Sequence, residues 1–150
     1  MKKATRNLLK LRTAAKLVAV EKIDVEDAIA NQCYQNACKY ADSNEKELLV
    51  MSGWLVGDFL NERGTALIPH YWVVNEVTKK HYDPTPKNIN DSQSYEYVMD
   101  FDILEFGYGK GMLPYPLRML ADGTVQVKHN DGRYQTLSKI DVQEIYNMKD

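Results

Sequence analysis

Apolar residues recur at helical spacing over residues 4–20, where Leu8, Leu11, Ala15 and Val18 form one stripe between basic side chains. That spacing predicts an amphipathic helix. Asp24 then reads as an N-cap, with Asp27 three positions on in capping-box spacing. The following stretch, 25–41, is helix-permissive throughout. It is either one helix, or a turn ending near Ala30 and a second helix capped by Asn31. After the polar loop 42–46 the period changes. Glu47 to Val56 is an apolar run of strand length, and Gly53 inside it signals a bulge or a close backbone approach. The turn-rich loop 57–66 leads to a second strand, Ile68 to Val74. A loop at 75–78 then leads to a returning strand, Lys79 to Asp83.

Residues 84–94 are polar and irregular. Alternation returns over Tyr95 to Leu104 and predicts another strand. Gly107, Gly109, Gly111, Pro114 and Pro116 make a turn region whose Gly-Tyr-Gly-Lys-Gly lacks the spacing of a phosphate-binding loop. The last forty residues form a meander: Leu117 to Ala121, Thr124 to His129 and Arg133 to Leu137, joined by Asp-Gly turns. Ser138 or Asp141 caps a closing helix over 142–148. The expected organisation is a single α+β domain, with N-terminal helices on a mostly antiparallel sheet and a C-terminal β-meander and short helix. Within it, 1–24 is a helical arm, 25–106 the core and 107–150 a β-rich extension.

Register arithmetic sharpens the hairpin. With a four-residue loop at 75–78, Val74 faces Lys79, Trp72 faces His81 and His70 faces Asp83. Side chains alternate across a strand, so His70, Trp72, His81 and Asp83 share one face. Opposed Cβ atoms lie about 4.5–5.5 Å apart, close enough for a histidine–carboxylate hydrogen bond.

Length and charge bound the rest. The 150 residues are enough for one domain with a real core. Residues 1–22 carry seven basic side chains against one acid, Glu21. That +6, against a formal net charge of −2, leaves −8 on the remainder. A basic arm of this kind packs on the acidic body or touches a polyanion, and packing is the expectation. A pI of 5.9 and the lack of any named nucleic-acid-binding motif argue against a nucleic-acid partner. No window has the length of a membrane span, so the expectation is a cytoplasmic protein with no membrane partner. Cys33 and Cys38 are five apart, about 140° around a helix, and are expected to be free thiols.

Cysteine, histidine and aspartate in the order Cys33, His70, Asp83 are a candidate nucleophile, base and orienter. If Asn31 caps a helix, Cys33 falls in its first turn, where unpaired N–H groups and the dipole favour a thiolate. In a continuous helix the same cysteine is a small core residue. The patterns Gln32-Cys33-Tyr34-Gln35-Asn36-Ala37, His70-Tyr71-Trp72 and Asp83-Pro84-Thr85, with Gly53-Trp54 as a central strand, resemble the core of transglutaminase-like and papain-like cysteine enzymes. They are similar above all to small phage and bacterial proteins of that superfamily. The resemblance covers about residues 31–86.

It implies a helix opened by Cys33 and a covalent thioester mechanism run by Cys33, His70 and Asp83. Gln32, Gln35 or Asn36 would help the Cys33 N–H as oxyanion donors, and Trp54 and Trp72 would contact substrate. No cofactor or metal is called for. The substrate would be a protein, a peptide or a small amide, hydrolysed by water or transferred to an amine. Three other readings stand beside it. His70 and Asp83 can be a buried structural pair. His70, His81 and Asp83 can form a facial metal set. The chain can also be a non-catalytic binding or inhibitory protein on the same scaffold, such as a phage host-modifying factor.

Overall fold

A computed structural model describes all residues except 44–46, 59–62, 89–90, 92, 108–111 and 149–150. The parts of the loops 42–46, 57–66 and 84–94 and of the glycine-rich turn that fall on those positions lie outside the described residues. The elements in chain order are α1 (Lys3–Leu11), β1 (Lys16–Val18), β2 (Val20–Lys22), α2 (Cys33–Ser43), β3 (Leu48–Val56), β4 (Thr65–Asn75), β5 (His81–Asp83), β6 (Glu96–Met99), α3 (Phe101–Gly107), β7 (Leu117–Met119), β8 (Val125–Lys128), β9 (Tyr134–Leu137) and α4 (Val142–Asn147). The architecture is α+β, and the described residues form four helices against a mostly antiparallel sheet of nine strands.

The N-terminal arm is the largest departure from expectation. Helix α1 stops at Leu11, and residues 16–22 enter the sheet instead of completing the helix. Arg12 accounts for the stop. Its backbone leaves the helix while its guanidinium pairs with Asp100 at 2.8 Å and with Asp102, and donates to the Ile140 carbonyl. Asp100 is buried and also accepts from the Trp54 indole at 3.0 Å. A buried carboxylate demands such partners, and meeting that demand fixes Arg12 where a longer helix would carry it away. Lys2 pairs with Asp58 and its backbone N–H bonds Glu96, so the basic arm does pack on the acidic body.

Two strands at the arm also shape the sheet. β1 pairs with β6, β2 pairs in parallel with β5, and Ala19 alone separates them. The pairings β6–β3–β4–β5 are therefore spanned by one bent segment, 16–22. Paired residues share a face, which puts Gly53, Leu55, His70, Trp72, Tyr97, Asp83 and Lys22 together on the side the strands enclose. The alternate residues Trp54, Val56, Leu67, Tyr71, Val73 and Val98 form the main core with Leu8, Ala37, Ile103 and Ile145 of the helices.

β4 is long enough to take two partners on one edge. Thr65 to Leu67 pair with β7, and Val73 and Val74 pair with β5. Between them is a gap, where no strand among the described residues pairs with 68–72 on that edge. Pro69, which has no N–H for a ladder, stands there, and His70 is next to it.

The hairpin differs from the arithmetic in one respect. Its loop has four residues, as expected, but begins one residue later. Asn75 anchors it by accepting from the N–H groups of Val77 and Thr78, Asn75 and Lys80 close it, and Lys79 takes a positive φ. Val74 therefore faces His81, not Lys79. The shift is two residues, so every side chain keeps its face. His70 meets Asp83 diagonally instead of directly.

Elsewhere Tyr95–Leu104 divides into β6 and α3, because Asp100 turns the chain with its backbone N–H on Ser52 O and its carboxylate on Asp102 N. Asp24 caps no helix: residues 24–32 are turns and irregular chain. The meander is present, and Asp141 caps α4 through the Glu144 N–H.

Gly53 marks a close approach without a bulge. A Cβ there would lie 2.0 Å from the Val98 carbonyl oxygen and 2.5 Å from the Trp72 ring. Gly53→Ala is therefore expected to cost roughly 1–3 kcal/mol or more by overpacking, read as a fall in the urea midpoint. An unchanged midpoint would contradict the packing described.

Candidate active site

Cys33 opens α2. The Gln32 carbonyl accepts the first helical hydrogen bond, from Asn36 N at 2.9 Å, so the cap is Gln32 and not Asn31. Asn31 has φ +67°, and this left-handed residue turns the chain into the helix. The break between 25–32 and α2 places the thiol at a helix start. It is buried, and it lines a cavity of about 490 Å³ together with His70, Lys22, Tyr97, Ile68 and Leu113.

His70 reaches that cavity from the gap in β4. Its Nε2 lies 2.9 Å from Asp83 Oδ2, so Nδ1 is the nitrogen that the carboxylate does not engage. Burial pulls the ring's pKa down, but the hydrogen bond to Asp83 and the interaction with the Cys33 side chain outweigh it and hold it near about 9. Asp83 is wholly buried. Its Oδ2 also accepts from the Tyr97 hydroxyl and lies 3.2 Å from Lys22 Nζ, while Oδ1 accepts from the Thr85 N–H at 3.0 Å. Burial raises the carboxyl, and His70, Tyr97 and Lys22 more than offset it, leaving it at about 2.

The other residues expected at the site have other duties. Asn36 staples the turn before α2 to the helix. Its Oδ1 accepts from Ile29 N at 3.1 Å, and its amide donates to Ile29 O and to Thr85 Oγ1. Both amide hydrogens are used, so none is left for an oxyanion. Gln32 and Gln35 are exposed, and neither lines the cavity. Trp54 lies on the helix-covered face, bonded to Asp100, away from His70. Trp72 is buried, is not among the residues lining the cavity, and stacks on His70 with centroids 6.3 Å apart. It donates its indole N–H to His81 Nδ1 at 2.9 Å. That bond, with a pKa lowered by burial, marks His81 as a neutral supporting ring. Among the described residues no group of three His, Cys, Asp or Glu is placed to hold a metal ion, and no helix is long and apolar enough to cross a membrane.

Sequence reasoning missed Lys22, Tyr97 and Thr85. Thr85 carried a legible signal, since an Asp-Pro-Thr turn offers Asp83 a backbone N–H two residues on. Lys22 and Tyr97 come from strands distant in sequence, and only sheet pairing brings them in.

No family model matches the chain, nor does any curated protein or solved structure.

The pair makes stability depend on pH with a definite sign. His70 has a raised folded value, so its contribution is complete below 6.5 and lost as pH rises through about 9. Asp83 has a depressed one, so its contribution is complete above 3.8 and lost as pH falls through about 2. His81, whose folded value is lowered by burial, makes midpoints rise as pH approaches 6.5, and His70 is expected to make them fall between about 6.5 and 9. His70→Asn should remove that fall; an equal fall in the variant would assign it to another group.

Proposed function

We propose that the chain is a cysteine-nucleophile hydrolase or acyltransferase of transglutaminase-like or papain-like kind, acting on an amide or related bond. The observation that carries this reading is the shared cavity. A buried cysteine at a helix start and a histidine with one nitrogen held by a carboxylate line the same space. A structural histidine–aspartate pair needs no thiol in the cavity it lines.

The chemistry follows from the protons. In the ion-pair form, with His70 protonated and Cys33 as thiolate, the sulfur attacks the carbonyl carbon and the carbonyl oxygen takes the negative charge. The raised basicity of His70 favours this form. The Cys33 N–H at the start of α2 has no intrahelical partner and is the natural donor for that oxyanion. As the tetrahedral species collapses, the imidazolium gives its proton to the leaving amine and a thioester remains. His70, now neutral, takes a proton from water or an incoming amine, which attacks the thioester and releases the thiolate. Asp83 orients the ring and stabilises its charged form throughout. The cavity volume suits a side chain or a small acyl group.

Iodoacetamide labelling tests the reading. Cys33 is expected to react rapidly below pH 7, and His70→Ala to slow that reaction at least tenfold, while Cys33→Ala removes it. Labelling that appears only above about pH 8, as for an ordinary thiol, or that ignores His70, would refute the enzyme.

A further inference from the structure

Three groups converge on one oxygen of Asp83, two by hydrogen bonds and one as an ion pair, and two of the three have no part in a Cys-His-Asp triad. Lys22 stands directly across from Asp83 in the parallel β2–β5 pair, so the two side chains leave the sheet on the same face. Its Nζ lies 3.2 Å from Asp83 Oδ2 and also donates to the Thr85 carbonyl. The side chain is 47% exposed and lines the cavity, whereas the carboxylate is fully buried. His70 Nε2 and the Tyr97 hydroxyl take the same Oδ2, and the Thr85 N–H takes Oδ1.

The surrounding groups divide the work. Tyr97 from β6 and the Thr85 N–H hold the carboxylate in place without bringing charge, and burial keeps the Tyr97 phenol protonated. Cys33 from α2 lines the same cavity as the ring and interacts with it. His81, two residues before Asp83, is engaged by Trp72. Across the cavity Lys87 donates to Gln93 O, and Asp91 accepts from Tyr95 and Gln93. Lys22 is thus the one lysine or arginine whose charge is paired with Asp83 among the described residues.

We propose that Lys22 is a positioning residue of this site, whose ammonium neutralises part of the Asp83 charge and so limits how strongly that carboxylate holds the proton on His70. A carboxylate shared with a second cation binds the imidazolium less tightly. The base then remains able to release its proton to a leaving group. The mechanistic meaning rests on the Cys33–His70–Asp83 reading above. The electrostatic claim does not.

NMR titration of the His70 ring in the full chain tests it. Lys22→Met is expected to move the His70 midpoint upward by about half a unit, about threefold in proton affinity. Lys22→Arg, which keeps the charge, should restore the wild-type value. Lys22→Gln serves if the methionine variant does not fold, and it retains a donor for Thr85 O. A merely structural lysine would leave the midpoint unchanged; that result, or a downward shift shared by the arginine variant, overturns the proposal. Labelling of Cys33 in the wild type and in His70→Ala, set beside these titrations, separates the two claims. Labelling that depends on His70 with an unmoved midpoint removes the role of Lys22 and leaves the enzyme. A moved midpoint with labelling indifferent to His70 removes the enzyme and leaves the electrostatic role.

Discussion

A carboxylate with no exposure to water is the constraint around which the enclosed side of this sheet is arranged. Taking an isolated charge out of water costs far more than any single contact returns, so Asp83 exists there only because partners converge on it. They come from four directions: His70 on β4, Tyr97 on β6, Lys22 on β2 and the chain's own turn at Thr85. Each partner pins the strand that carries it, so the charge cluster and the curl of the sheet depend on one another. Asp100 plays a similar part on the helix-covered face, with Arg12 and Trp54.

The gap in β4 turns that structural cluster into a candidate reaction centre. One edge of the strand passes from β7 to β5, and on that edge no strand among the described residues pairs with 68–72. The start of α2 and the Asp83–Thr85 turn meet near that edge, joined by the Asn36 amide. A histidine of the enclosed face can there reach a cysteine whose helix packs mainly on the other. Pro69 suits the same place for the same reason, since its missing N–H would weaken a fully paired strand.

Much of this was legible in the chain. The apolar run with an internal glycine, the hairpin behind it, the Asp-Gly turns of the meander and the Asp141 cap are local features, decided by side-chain period and turn chemistry. The His70–Asp83 contact was legible too, because a two-residue error in register preserves faces and a diagonal neighbour is still within reach. The misreadings share a cause. The stripe of Leu8, Leu11, Ala15 and Val18 is truly amphipathic, yet Arg12 is claimed by Asp100, 88 residues away. Trp54 and Asn36 resembled site residues by position, while their polar atoms are held by Asp100 and by Ile29 and Thr85.

The sequence by itself determined the elements with strong local period, the hairpin of β4 with β5, and the face shared by histidine and aspartate. Backbone alternation and turn preference act over a few residues, so their consequences can be read from a few residues. Only the tertiary structure decided that Cys33 rather than Cys38 lines the cavity with His70, and that Lys22 and Tyr97 complete the Asp83 cluster. It also decided that residues 16–22 are strands. Those outcomes turn on buried charges finding partners across the whole chain, and the identity of the partner is a property of the packed sheet.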